Sequence, residues 1–178
     1  MIGKEIHEFA QQLWPLNRSI TGNGTRETLR QINLHLPKLL IKSVPSGTKV
    51  FDWTVPKEWL VREAYIITPS GKKICDFSKN NLHLLGYSIP MEIDISLDEL
   101  KKHLYTFPEQ PNAIPYHTSY YKENWGFCLS HNEYKELKYG NYKVKIDSEL
   151  YDGELNYGEI IIHETCQPHC CYNTHQYF

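Results

Sequence analysis

The 178-residue sequence lacks any apolar run approaching the ~20 residues that span a bilayer. It has no basic cluster longer than a Lys-Lys pair, and its formal charge is −2. A nucleic-acid or anionic-membrane footprint is therefore not expected. The start, MIGKEIHEFAQQLW, carries Glu5 and Glu8 and lacks the continuous apolar core of a secretory signal. A cytoplasmic location is the corresponding expectation. Cysteine is sparse until the end: Cys75 and Cys128 lie in apolar, strand-like contexts and read as reduced, buried and inert. No internal repeat and no low-complexity segment is present. Apolar and charged fractions of 40% and 22% are those of a globular chain.

The hydrophobic spacing then orders the chain. Ile2, Ile6, Phe9 and Leu13 recur at helical intervals, predicting a helix over 3–13 that Pro15 ends. A second helix is predicted from Thr25 to Leu36, with Leu29, Ile32 and Leu36 inward, Thr25 or Asn23 as cap and Pro37 as stop. From Ser43 the period becomes two. Lys49 to Val55 reads as a strand, and Ala64–Thr68 with Lys73–Phe77 reads as a hairpin around Pro69-Ser70-Gly71. Further strands are predicted at Leu82–Ser88, Tyr116–Tyr120 and Phe127–Ser130. Ser96-Leu97-Asp98-Glu99 has the pattern of a capping box before a short helix. Tyr142–Ile146 and Leu155–Ile162 read as two strands joined through the Asp152-Gly153 turn. The order fits an α/β protein with a β-rich insertion.

Four stretches carry a family resemblance: LWPLNRSITGNGTRETL (13–29), VPSGTKVFDWTVPKEW (44–59), FPEQPNAIPYHTSYYKENWGFCLSH (107–131) and IDSELYDGELNYGEIII (146–162). Together they cover nearly all of residues 1–162. The sequence resembles the bacterial aminopeptidase-like zinc peptidase family, often encoded beside surface-polysaccharide genes. Such a member is more than twice this length, with a peptidase-like α/β core, an inserted β-rich domain and a C-terminal winged helix. By the resemblance, the fold class is α/β (α+β as a fragment): an incomplete zinc-exopeptidase-like core with a β-rich inserted domain. Residues 1–45 would be the helical part of that core, 46–140 the insertion, 141–162 the first sheet strands and 163–178 an aberrant or disordered tail.

The resemblance stops where metal ligands are due. The family's next strand leads to a His-Pro loop and an acidic residue, whereas this chain reads HETCQPHCCYNTHQYF from His163. No ligand role carries over, so the expectation is no cofactor in this chain, with zinc in longer relatives. The tail holds three of five cysteines and three of nine histidines. Cys166, His169, Cys170 or Cys171, and His175 have the element types of a thiolate/imidazole site, but the spacing matches no standard finger. A shifted reading frame gives the same burst of Cys, His, Gln and Tyr.

Three other groups invite a functional reading. The Asn17–Gly22 turn offers Arg18 as a bidentate carboxylate holder with Ser19 and Thr21, or else a helix connector whose hydroxyls cap backbone. Tyr116, Tyr120, Tyr121 and Trp125, with His117 and His131, form either a ligand cleft or ordinary β packing. Asp147, Glu149, Asp152, Glu154 and Glu159 read as the solvated face and tip of a hairpin. The functional expectation is an N-terminal part of an aminopeptidase-like zinc metallohydrolase, inactive alone, for an unidentified small-molecule or peptide substrate. Alternatives are a saccharide- or peptide-binding module and a small metal-binding protein using the tail. An apolar strand edge left unpaired at Leu155–Ile162 would drive oligomers or aggregation.

Overall fold

A computed structural model describes residues 2–161 and 175–177. In chain order the main elements are α1 (Ile2–Leu13), α2 (Asn23–His35), β1 (Leu40–Pro45), β2 (Lys49–Val50), β3 (Trp53–Thr54), β4 (Glu58–Ile67) and β5 (Lys73–Ile74). They continue with β6 (Met91–Ser96), α3 (Leu97–Leu100), β7 (Leu104–Tyr105), β8 (Phe127–Cys128), α4 (His131–Glu136), β9 (Asn141–Tyr151), β10 (Glu154–Ile161) and β11 (His175–Tyr177). Helices and strands are interspersed, so the α/β class holds. The chain divides into two compact units, residues 1–58 with 152–178, and residues 59–151.

In the first unit, α1 runs where its spacing predicts. Its stripe grades from exposed Ile2 and Ile6, through half-buried Phe9, to buried Leu13. The second helix begins two residues before Thr25, because Gly22 takes the cap position at φ 98° without a side-chain cap. Neither expected cap is available. The Thr25 hydroxyl donates to the Ser19 carbonyl, and the Asn23 side-chain oxygen accepts from Arg26. Leu29 is buried as expected, but Leu36 ends the helix exposed, and Leu39 fills the core instead. The sheet order is β1-β10-β11, all antiparallel, with Leu40 opposite Glu159 and Pro45 opposite Glu154. Gly158 of β10 is where the layers meet. A Cβ there would lie 2.9 Å from Leu39 Cδ1 and 3.1 Å from Leu29 Cδ2.

The Lys49–Val55 strand is instead a tight hairpin, with Val50 opposite Trp53. Phe51 turns the chain at φ 52° and is fully exposed. A chain reversal there leaves Phe51 no neighbour to pack on, whatever the alternation suggests.

The second unit is a four-stranded sheet, order β5-β4-β9-β6. The β4–β5 hairpin forms as predicted, Ile66 opposite Ile74, with Gly71 at φ 82° in the turn. On β9, Tyr142, Val144, Ile146 and Ser148 alternate inward and are buried. Ile95, Ile93 and Met91 of β6 register with the first three. The outward face carries the Lys145–Glu92 pair at 2.6 Å and Arg62 between Asp147 and Glu149. Leu82–Ser88 is not a strand. It enters as a 3-10 turn, Asn81–His83, capped by Asn80, and then makes only isolated bridges, as does Tyr116–Tyr120 through Thr118. Phe127–Ser130 is likewise shorter than predicted, pairing only at Phe127 and Cys128. The reciprocal capping box expected at Ser96 is half formed, since Glu99 binds Lys102 rather than reaching back. A complete box starts α4, where Ser130 Oγ accepts from Glu133 N and Glu133 accepts from Ser130 N.

The two compact units divide at residues 59 and 151. β9 belongs to the second unit because it pairs with β6, and β10 to the first because it pairs with β1. The two strands do not form the hairpin their common turn suggests. Among the described residues, no helix is long and apolar enough to cross a membrane.

Candidate functional site

The polar centre of the first unit is a guanidinium–carboxylate pair. Glu58, 2% exposed, accepts from both ends of the Arg26 fork at 2.7 and 2.8 Å. Arg26 also donates to Asn156 Oδ1 at 3.2 Å, and Glu58 Oε1 accepts from Glu154 N at 3.0 Å. Bidentate pairing fixes both side chains in one plane. Asn156 in turn donates to Glu154 at 2.9 Å, and that bond, with one from Ser43, holds the Glu154 carboxyl below its ordinary range. Gly153 is required beside it, since a Cβ there would lie 2.5 Å from Glu58 Oε1. Neither Arg26 nor Glu58 stands out in the sequence. Arg26 sits in a polar turn-rich stretch, Glu58 precedes the apolar run Trp59-Leu60-Val61, and 32 positions separate them.

The turn that precedes α2 packs inward. Ser19 Oγ donates to the Thr21 carbonyl at 2.6 Å, and the buried Thr21 donates to the Lys57 carbonyl at 3.3 Å. Gly24 lies so close beneath Asn17 that a Cβ would overlap its carbonyl oxygen at 1.9 Å. Both candidate hydroxyls are thus bonded to backbone, while Arg18 is exposed.

In the second unit the aromatic residues divide into two groups. Trp59 stacks on Tyr87 at 5.7 Å, and Tyr120 meets Tyr87 edge-on at 5.2 Å and Tyr121 at 5.3 Å. Tyr121 is 81% exposed, whereas Trp125 is buried and stacked on His103 at 3.7 Å. Trp59 Nε1 and Ser148 Oγ both donate to the Ser88 carbonyl, at 2.9 and 2.7 Å, which locks this core. Tyr116 is exposed at the periphery. His117 tilts against Tyr105 at 5.0 Å. His131 opens α4, shares a hydrogen bond with Thr106 Oγ1 at 3.1 Å and stacks on Tyr134. Tyr120 and Tyr121 are thus brought together, while Trp125 and His131 have separate partners.

Asp147 and Glu149 hold Arg62 on the outer face of the sheet. Asp152 stands at the turn after β9 near Lys57, at 3.9 Å. Glu159 pairs with Lys42 across β1–β10. Among the described residues, no group of three or more His, Cys, Asp or Glu side chains is placed to hold a metal ion. The Cys166, His169, Cys170 and Cys171 candidates lie outside the described residues. For His175 only the backbone pairing with Ile161 is described.

A concavity lies entirely within residues 68–142. It is a cleft of about 440 Å³ between the β4–β5 turn and α4, lined by Pro69, Ile74, Cys75, Leu129, Leu137 and Tyr142 among others. Burial raises the pKa of the Cys75 thiol at its wall and pushes that of the neighbouring Cys128 up to about 12.

Comparison with known proteins places these features in a family. The chain is 49% identical, over 180 residues, to a Clostridium acetobutylicum protein provisionally named a polysaccharide biosynthesis protein with aminopeptidase-like domain. The match covers 95% of this chain and 41% of that protein. A crystal structure of a Clostridium acetobutylicum protein provisionally named a peptidase superposes with a TM-score of 0.84 at 53% identity, covering 90% of this chain and 38% of that one. The chain thus spans about two-fifths of the length of these relatives. Residues 58–149, nearly coincident with the second unit and including the 440 Å³ cleft, match the family model described as Domain of unknown function (DUF2172), and the chain belongs to that family.

Proposed function

We propose that the described residues are a non-catalytic part of an aminopeptidase-like zinc metallohydrolase acting on an amide bond in a small or sugar-linked substrate. The observation that carries this reading is the 53% identity and 0.84 TM-score to the solved peptidase-named relative over only 38% of its length. In such enzymes a metal ion supplies an activated water and polarises the scissile carbonyl. The described side chains do not suit that ion, for lack of a converging ligand set. No step of hydrolysis is therefore assigned to them. Their part is architectural: the Arg26–Glu58 fork fixes α2 against the start of β4, and the turn hydroxyls of Ser19 and Thr21 hold its approach.

Apolar side chains left at the surface of the first unit support association with further polypeptide. Ile2, Ile6, Leu34, Leu40 and Ile41 are each at least 45% exposed. An oligomer or a docked aminopeptidase-like segment would cover them, in a cytoplasmic setting. The deciding experiment adds zinc to the purified chain and assays aminoacyl p-nitroanilides, with the Clostridium acetobutylicum relative alongside. Turnover by the relative alone is expected. Zinc-dependent turnover by this chain would overturn the proposal.

A further inference from the structure

The cleft between the β4–β5 turn and α4 has the size of a small-ligand site, which runs from roughly 300 to 1,000 Å³. Its walls are mostly aliphatic: Pro69, Ile74, Leu129 and Leu137, with the ring of Tyr142. The Tyr142 hydroxyl donates to the Lys138 carbonyl at 2.6 Å, so the residue offers its ring rather than a polar tip. The hydroxyls at the turn are also spent. Thr68 Oγ1 meets Ser70 Oγ at 2.9 Å and accepts from Lys72 N at 3.1 Å. Glu133 lines the cleft too, but one of its oxygens caps α4 through Ser130.

What remains at the cleft is charge of both signs. The exposed side chains of Lys72, Lys138 and Glu136 border it, and none makes an ion pair with another described residue. Cys75 forms part of the wall at φ 49°. That left-handed backbone is uncommon for a non-glycine residue and concentrates at ligand-contacting sites. A saccharide would ask for free hydrogen-bonding groups and flat aromatic faces, and the cleft supplies few of either.

We infer that this cleft binds a small zwitterion with an aliphatic body, an α-amino acid or the end of a short peptide. The body lies on Ile74, Leu129 and Leu137, the carboxylate faces Lys72 and Lys138, and the ammonium faces Glu136. The inference does not rest on the metallohydrolase reading, because it concerns binding and requires no metal.

The test titrates the purified full chain with L-leucine, followed by calorimetry and by amide chemical shifts. Isoamylamine and 4-methylpentanoate, each lacking one charge, serve as controls. Saturable L-leucine binding is expected, with shifts confined to residues 68–75 and 129–142, and each control about tenfold weaker, a difference of ~1.4 kcal/mol. Leu137→Trp should fill the cleft and abolish binding. Should that variant not fold, Glu136→Lys on the exposed rim should weaken L-leucine at least as much as removing its ammonium does. No saturation by about 10 mM, weaker than the millimolar range of the feeblest specific ligands, would overturn the inference. So would equal binding of both controls, or shifts centred outside the cleft.

Discussion

Arg26 on α2 and Glu58 at the head of β4 face each other as fork and carboxylate, with both oxygens of a nearly buried Glu58 occupied. One partner is removed from water and the other retains about a third of its exposure. The pair therefore resembles a buried ion pair from the carboxylate side. Losing one member leaves the other charge uncompensated.

Arg26→Ala is accordingly expected to lower the unfolding free energy by about 2–3 kcal/mol, below the fully buried value because water screens the exposed side. Arg26→Lys should lose about 1 kcal/mol, since one ammonium cannot replace a two-pronged donor. Urea melts of the variants provide the check. A cost within about 0.5 kcal/mol for Arg26→Ala would mean the pair is energetically neutral.

Gly153 sits against that same carboxylate. A Cβ at this position would stand 2.5 Å from Glu58 Oε1 and 2.6 Å from Glu58 Cγ. Gly153→Ala should therefore cost about 1–3 kcal/mol by overpacking. The cost should shrink when Glu58→Ala is already present, because the obstructing atoms are gone. Additive costs in that double-mutant cycle would refute the contact.

Acid sensitivity of the second unit should trace partly to Asp76. Burial pushes its pKa up, but hydrogen bonds from the Ser78 side chain and backbone, and the Lys73 ammonium at 3.4 Å, bring it below the ordinary value. A carboxylate depressed in the fold stabilises above its unfolded pKa of about 3.9, and that contribution is lost as pH falls through the lower folded value. Asp76→Asn should thus be less stable than the parent at pH 7 and should converge with it toward pH 2. A constant gap in Tm across that range would assign the loss to something other than ionisation.

Cys75 and Cys128 should resist thiol reagents in the folded protein. Burial raises both pKa values, and thiolate is the reactive form. Peptide mapping after iodoacetamide at pH 8 should find both unmodified until urea is added. Rapid native alkylation of Cys75 would show that the cleft wall opens.

Much of the local structure is legible in the sequence. The four- and three-residue spacing of Ile2, Ile6, Phe9 and Leu13 predicts α1, and the Pro69-Ser70-Gly71 turn predicts the β4–β5 hairpin. The turn at Phe51 is hidden, because alternation in Lys49–Val55 suits a strand and a two-residue hairpin equally. Of the candidate site residues, Thr21, Trp125 and His131 have their polar or aromatic groups engaged within the protein. The pair Arg26–Glu58 and the cleft above Ile74 and Leu137 carry no sequence signal.

The sequence by itself determined α1, the alternating inner face of β9 and the four stretches that carry the family resemblance, because periodicity and turn residues are encoded within a few positions. Only the tertiary structure decided that β9 joins β6 and β4 while β10 joins β1. A strand's alternation specifies which face is buried but not which backbone edge it meets. That choice is made by partners such as Leu40 and Glu159, more than a hundred residues apart, whose pairing has no local signature.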